Sequence, residues 1–236
     1  MPDNVLVYMA TRADTPQRRK LLCDTLREAE DTAGMPLKIN LHYVGVEDHD
    51  ETYSTNATPR LWPYNVGQHV VFNTMLLQAH EQGIRWLLRL DDDVKFLTKR
   101  WLVKMLDAAR TLGDKFIISS QVRGLLTPPS ATEPIDHKGV RVRFITSAIG
   151  GICRLHPVAT MVKGEYESDV RMPLGFGDAT GVAGWAEEHM VWMVWLEHVR
   201  VKHRLGTSKQ RDFDPGYHME HDVLQRVPYI PPWSGV

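Results

Sequence analysis

The clearest pattern along the chain is an apolar segment that runs directly into three consecutive aspartates. Ile84, Trp86, Leu88 and Leu90 share one face at a period of two, which predicts a mostly buried β-strand. The acidic run Asp91–Asp93 follows at the point where the backbone leaves that strand. In open α/β sheets, ligands bind at the carboxyl ends of the strands. The pattern therefore predicts three carboxylates at a ligand-binding edge of a sheet.

Comparable patterns predict the other elements of an α/β fold. Short apolar or alternating runs predict strands at Val5–Ala10, Lys38–Gly45, Phe116–Ser120, Arg141–Thr146 and Val199–His203. Amphipathic stretches predict helices that begin after Thr15, Gly67 and Thr98 and at Trp185. Polar, proline-rich or glycine-rich stretches predict loops at residues 47–60, 127–134 and 175–184.

The predicted helices carry recognisable end signals and apolar stripes. Thr15 is positioned to cap the first helix, with Pro16 at its first position. Gly83 ends the second helix and Thr98 is predicted to cap the third. The predicted inward-facing positions, in helix order, are Leu22, Leu26 and Ala29; Val66, Val70 and Leu77; Trp101, Leu102, Met105, Ala109 and Leu112; and Met190, Val191, Val194 and Trp195.

Composition sets the class of protein. The 236 residues are enough for one α/β domain with a full core, and 28 basic against 29 acidic residues give no overall charge that would favour nucleic acid or an anionic membrane. Two isolated cysteines, Cys23 and Cys153, fit a reducing compartment. No secretory signal pattern and no run of 18 apolar residues occurs. We expect a soluble, cytoplasmic protein without an integral membrane segment.

The three aspartates have two interpretations on their own chemistry. Adjacent carboxylates repel one another, and a divalent cation bound to nucleotide phosphates would compensate, because Mg²⁺ and Mn²⁺ prefer a few carboxylate oxygens together with substrate phosphates. The alternative is a solvated acidic turn that precedes the next helix. The residues alone leave both open.

The order of motifs around the aspartates favours the metal-site interpretation. Asn65-x-Gly67, then Asn73, then a helix, then Leu90 followed by the aspartates resembles the donor half of the GT-A glycosyltransferases, in particular the inverting family 2 type. The resemblance implies a single Rossmann-like GT-A domain over residues 1–210, with a mixed, mostly parallel sheet flanked by helices. It implies that residues 211–236 form a C-terminal lid or tail.

The resemblance also implies a role for the Asp-x-Asp motif and its neighbours. Asp93 and Asp91 are expected to hold Mn²⁺ or Mg²⁺, with Asp91 shared between the metal and the ribose and Asp92 beside the donor. Asn65 and Gly67 are expected to lie at the nucleotide.

Further nucleotide contacts are implied at two strand ends. Thr11 and Arg12 follow the first strand and are expected to contact the base or ribose, although Arg12 is equally compatible with a surface turn. Asp48 is the first choice for a contact to uracil, and a solvated acidic loop explains it equally well. Gly150 and Gly151 are expected beside the donor sugar, where a missing Cβ permits close approach, or in a β-bulge.

On the acceptor side, the resemblance implies a catalytic base at the start of a helix. Glu188 is expected to be that base, with Glu187 as its competitor, although acids in a first turn also simply favour the helix dipole. Near the end of the domain, His203 is the expected third metal ligand, with His218 as the second choice. Ser208 is expected to contact the diphosphate.

Together these implications describe a metal-dependent hexosyl- or pentosyltransferase. It would move a sugar from a nucleoside diphosphate sugar, with UDP as the first choice, to an acceptor hydroxyl with inversion. The acceptor is left open between a glycan, a protein and a modified DNA base. Two alternatives are a nucleotidyltransferase acting on sugar phosphates, although Met9–Asp14 lacks the expected glycine-rich loop, and a non-catalytic carbohydrate-binding module.

Overall fold

The structure is a computed structural model that describes residues 4–11, 13, 15–44, 57–62, 67–123, 129–147, 152–166 and 176–204. The strands are β1 Val5–Thr11, β2 Ile39–Val44, β3 Ala57–Trp62, β4 Trp86–Leu90, β5 Val94–Phe96, β6 Phe116–Arg123, β7 Ile135–His137, β8 Val140–Phe144, β9 Cys153–Pro157 and β10 Trp192–His203. The helices are α1 Pro16–Ala33, α2 Gly67–Glu81, α3 Trp101–Leu112, α4 Val158–Lys163 and α5 Phe176–Glu188. Across these ranges no helix has both the length and the apolar character to cross a membrane.

The described strands form one mixed sheet in the order β3-β2-β1-β4-β9-β6-β10-β8-β7, with β5 paired to β10. From the pairings, β1, β2, β3, β4, β6, β7 and β10 run in one direction and β5, β8 and β9 run in the other. The predicted mixed, mostly parallel sheet is therefore confirmed. The carboxyl ends of β1, β4 and β10 lie at the same edge.

Helices cover both faces of the sheet, which places the core in two layers. On one face Leu22 and Leu26 of α1 and Met105 of α3 pack against residues such as Leu88 of β4. On the other face α2, α4 and α5 pack against Tyr8 and Leu87 in a second cluster. This α/β/α arrangement buries β4 completely, in agreement with the apolar pattern that predicts it.

Several local predictions are confirmed. Thr15 caps α1, where its side chain accepts a hydrogen bond from the Arg18 N–H at 3.3 Å, and Pro16 is the first helical residue. The stripe predicted for this helix is buried at Leu22, Leu26 and Ala29. In α3, Trp101 is in the core together with the other predicted inward-facing residues.

Residues 57–60 were predicted as a loop, which is wrong, because they belong to β3. This strand is the outermost member of the described sheet and pairs only with β2 among the described strands. Pro59 is tolerated there because an edge strand does not need every backbone N–H for pairing.

The buried face predicted for the second helix is confirmed only in part, because Val70 packs against the core while Val66 lies outside the described residues. Val70 and Leu77 are half-buried, whereas Val71, Phe72 and Leu76 are buried. The reason is that α2 packs against both the sheet and α4, so its covered surface is wider than a single stripe.

Thr98 does not cap α3. That helix begins at Trp101, its N-cap position is Arg100 with φ 58°, and no side-chain hydrogen bond is made there. Thr98 Oγ1 instead accepts a hydrogen bond from the Arg200 N–H at 2.9 Å. The hydroxyl is used because the three-residue strand β5, which was not predicted, places this turn against β10.

The last helix and strand are shifted towards the amino terminus relative to their predictions. The glycine-rich stretch predicted as a loop lies largely within α5, and Val194 and Trp195, predicted to bury a helix, belong to β10. The helix is stabilised by tertiary packing, because Val182 and Ala186 are buried one turn apart, while Gly181 has open space beside it. Glycine therefore weakens this helix without preventing it.

Candidate functional site

The carboxyl edge of the sheet gathers residues that are far apart in sequence. Thr11 ends β1, Asp91, Asp92 and Asp93 follow β4, and His203 ends β10. The antiparallel pairing of β5 with β10 sets His203 opposite Val94 in register. The predicted strand-end carboxylates therefore meet residues from two other strands.

Asp93 and His203 form the centre of this group. Asp93 Oδ2 lies 3.2 Å from His203 Nε2, and both side chains are about 5% exposed or less. Within the described part of the chain, Asp93 Oδ2 is buried without a well-aligned hydrogen bond. Two ligands held at about 2.1 Å on neighbouring octahedral positions of one ion lie about 3.0 Å apart. The separation of these two atoms suits a shared cation.

The pKa shifts at the site are those of acidic side chains buried close to one another. Burial raises the pKa of Asp93 from 3.8 to about 8, and repulsion from Asp92 and Asp91 adds to the rise. Burial also raises the pKa of Asp92, while the hydrogen bond from Thr11 opposes that shift. Burial lowers the pKa of His203, against the opposing influence of Asp91, so the imidazole is neutral at pH 7. A neutral imidazole is the form that coordinates a metal.

Two of the carboxylates are held by specific neighbours. The Thr11 hydroxyl donates to Asp92 Oδ2 at 2.5 Å. The Arg89 guanidinium donates to Asp91 Oδ1 at 3.2 Å and also to the Gln68 side chain. Arg89 is only 5% exposed. Neither Arg89 nor Gln68 is predicted from the sequence as a site residue. An arginine inside a buried strand could have indicated one, because a buried charge needs a partner.

Thr11, Asp91, Asp92, Asp93 and His203 are thus the predicted site residues that the structure brings to one edge. Gly67 is the first residue of α2. The predictions for Arg12, Asp48, Asn65, Gly150, Gly151, Ser208 and His218 fall outside the described residues, as does the predicted lid or tail at 211–236.

Glu187 and Glu188 do not lie where they were predicted. Both are exposed residues at the end of α5, not at the start of a helix. The chain then enters β10 at Trp192, which pairs with Phe116, whereas Lys202 pairs with Arg123. Phe116 and Arg123, at the two ends of β6, are separated by about 23 Å along the strand at about 3.3 Å per residue. The two glutamates therefore lie towards the opposite edge of the sheet from His203.

The described side chains at the carboxyl edge supply only part of the coordination shell of a divalent metal. Among the residues that the structure describes, no group of three or more His, Cys, Asp or Glu side chains is arranged to hold a metal ion. The pair Asp93 and His203 supplies one carboxylate and one imidazole. Mg²⁺ and Mn²⁺ sites in nucleotide enzymes commonly use one or two carboxylates and complete the shell with phosphate oxygens and water. The donor set fits an ion delivered with a nucleotide.

Comparison with known proteins finds similarity in fold to solved structures. No protein-family model matches the sequence, and no curated protein matches it. A solved structure, the crystal structure of GalNAc-T7 with UDP, GalNAc and Mn²⁺, matches 85% of this chain with a TM-score of 0.63 and 9% sequence identity. The match covers 43% of the GalNAc-T7 chain. The chain therefore shares the α/β fold of that protein.

Proposed function

We propose that this protein is a metal-dependent glycosyltransferase that uses a nucleoside diphosphate sugar, with UDP as the first choice of nucleotide. The observation that carries the proposal is the pairing of buried Asp93 with His203 beside Asp91 and Asp92, at the carboxyl edge of a GT-A-like sheet. The structure of GalNAc-T7 with UDP and Mn²⁺ supports the choice of ligands.

In this proposal Asp93 and His203 are the protein ligands of Mn²⁺ or Mg²⁺. Asp91, which Arg89 holds through a contact of 3.2 Å, would face the ion and the ribose. Asp92 would take its orientation from the Thr11 hydroxyl. When bound, the cation neutralises the negative charge that develops on the leaving diphosphate.

We propose that the transfer inverts the anomeric carbon. An inverting displacement requires a carboxylate base on the acceptor side. Glu187 and Glu188 end α5 towards the opposite edge of the sheet, so the proposal leaves the residue that acts as this base open.

The acceptor is a hydroxyl group, and a glycan, a protein and a modified DNA base are the classes to compare. The donor is identified first, by a thermal-shift screen of nucleotide sugars with Mn²⁺ and with EDTA. A ligand that binds the native state stabilises it by RT ln(1 + [L]/Kd), which is about 2.7 kcal/mol at a hundredfold excess over Kd. A shift with UDP sugars that requires Mn²⁺ supports the proposal, and the absence of any metal-dependent shift across the panel contradicts it.

A nucleotidyltransferase is distinguished in the same screen. That class would bind a nucleoside triphosphate with a sugar phosphate and would release diphosphate. Metal-dependent stabilisation by UTP and a sugar 1-phosphate, with none by UDP sugars, would favour it over the proposal.

A further inference from the structure

The proposed metal site depends on a very short strand pairing. β5 has three residues, and it pairs with β10 at Val201↔Phe96, Lys202↔Lys95 and His203↔Val94. Asp93 immediately precedes this pairing and His203 is its last member. A pairing of only three residue pairs at the end of a strand is prone to fraying. The position of Asp93 next to His203 therefore needs additional contacts.

Arg204, the residue after His203, supplies contacts to both sides of the site. Its backbone N–H donates to the Asp93 carbonyl oxygen at 2.8 Å, and its Nε donates to the Val94 carbonyl oxygen at 3.2 Å. Its Nη2 donates to Glu28 Oε2 of α1 at 2.6 Å. One side chain therefore connects β10, the segment after the aspartates and the first helix.

The helix contributes a second contact to the same carbonyl. The Thr25 hydroxyl, one turn before Glu28 in α1, donates to the Val94 carbonyl oxygen at 3.1 Å in a fully buried position. The Glu28 and Arg204 side chains are 24% and 22% exposed, so the ion pair is partly shielded from solvent. The backbone of Val94 is thus held from α1 and from the end of β10.

We propose that Glu28 and Arg204 form a positioning pair that sets the geometry of the metal site, which rests on the function proposed above. Glu28 fixes the guanidinium, and the guanidinium fixes the backbone at Val94, so that Asp93 and His203 keep the separation that a common cation needs. Neither residue of the pair is assigned as a metal ligand. A planar guanidinium can bridge a carbonyl and a carboxylate at once, and a lysine ammonium cannot reproduce that fixed geometry.

The charges of the pair separate positioning from a through-space electrostatic effect. Glu28→Gln removes a negative charge and Arg204→Met removes a positive charge, so a purely electrostatic effect would change cation affinity in opposite directions. A positioning effect weakens cation binding in both variants. Arg204→Lys, which keeps the charge, should resemble Arg204→Met in this respect.

The chain contains a matched control. Arg143 Nε lies 2.6 Å from Glu197 Oε1, with side chains 29% and 18% exposed, which is close to the distance and exposure of the Glu28–Arg204 pair. Glu197 also lies in β10, and its carboxylate pairs with Arg143 of β8 instead of with the segment after the aspartates. Glu197→Gln therefore removes a similar ion pair away from the proposed site.

The experiment measures free Mn²⁺ by electron paramagnetic resonance while the full chain is titrated with Mn²⁺ in saturating UDP, together with the melting temperature of each variant. We expect the Mn²⁺ Kd to rise about 10- to 100-fold in Glu28→Gln, Arg204→Met and Arg204→Lys, the range for damaged supporting contacts of metal ligands. Glu197→Gln should lower the melting temperature by a similar amount and leave the Kd unchanged.

The outcomes separate this inference from the function on which it rests. If the wild-type chain and Asp93→Asn bind Mn²⁺ equally, or neither binds, the proposed metal site itself is wrong. If the wild-type chain binds Mn²⁺ and Asp93→Asn does not, the positioning role is overturned by unchanged Kd values in the Glu28 and Arg204 variants. It is also overturned by opposite changes in Glu28→Gln and Arg204→Met, or by an equal change in Glu197→Gln.

Discussion

Asp93→Asn is expected to make the metal-free protein more stable while it removes the metal response. At pH 7 the folded chain keeps Asp93 protonated, because its pKa of about 8 lies above that pH, whereas the unfolded chain, with a pKa near 3.8, releases the proton. The linked cost to folding is about 4 kcal/mol at 1.36 kcal/mol per pH unit. Asparagine carries no charge in either state and avoids this cost.

Part of this gain in the free energy of unfolding is offset, because the asparagine amide is a polar group buried beside His203. An imperfectly paired buried amide costs about 1–3 kcal/mol. We therefore expect a net stabilisation of about 1–3 kcal/mol. For a chain of this size that corresponds to a rise in melting temperature of roughly 2–4 °C per kcal/mol.

The pH dependence of the stability difference between Asp93→Asn and the wild type is a sharper test of the raised pKa of Asp93. Because the pKa of Asp93 is raised from 3.8 to about 8 on folding, wild-type stability is intact below the lower value and falls progressively as the pH rises to about 8. The advantage of Asp93→Asn over the wild type should therefore grow between pH 5 and pH 8 in EDTA. Asp107→Asn is the control, because the Asp107 side chain is 57% exposed, and it should stay within about 0.5 kcal/mol at every pH.

Differential scanning fluorimetry in EDTA, and again with Mn²⁺ and UDP, measures both effects. A lower melting temperature for Asp93→Asn in EDTA, or a difference from the wild type that does not vary with pH, would refute the electrostatic reasoning. Full retention of the Mn²⁺-dependent shift in this variant would refute the assignment of Asp93 as a ligand.

Four further predictions follow from the same structure. His203→Ala should weaken Mn²⁺ binding about 10- to 100-fold in calorimetry, and unchanged affinity would remove it from the site. Wild-type Mn²⁺ affinity should fall by up to about tenfold per pH unit below pH 8, because a bound ion displaces the Asp93 proton, and a pH-independent Kd would contradict this. Gly181→Ala should raise stability by about 0.5–1 kcal/mol in denaturant titrations, because the position is helical with open space beside it, and a clear loss would contradict the α5 helix. In a donor-turnover assay, Glu188→Gln should retain activity, because Glu188 lies towards the opposite edge of the sheet from His203, and a loss of about 10²- to 10⁴-fold in kcat with donor binding intact would return the base to Glu188.

The parts of the fold that follow from local sequence could be predicted. The period of two before Asp91 and the Thr15 cap with Pro16 depend on residues within one element, and both agree with the structure. The strand-end aspartates follow from the same pattern, because a buried strand must deliver its next residues to the edge of the sheet.

The parts that depend on distant residues could not be predicted. The ion pair between Glu28 and Arg204 joins positions 176 residues apart, and nothing local indicates it. The glycines of α5 would favour a loop by propensity, and packing of Val182 and Ala186 overrides that preference. Once the helix is shifted, Glu188 moves from a predicted helix start to a helix end, so an error in the bounds of the helix changes the position of a candidate site residue.

The proposed function requires a nucleotide-sugar site with a divalent metal held by Asp93 and His203. The most direct measurement is isothermal titration of UDP into the wild-type chain in Mn²⁺ and in EDTA, repeated with Asp93→Asn. We predict binding in Mn²⁺ that is lost in EDTA and lost in the variant. Equal UDP affinity under all three conditions, or no UDP binding to the wild-type chain in Mn²⁺, would contradict the claim.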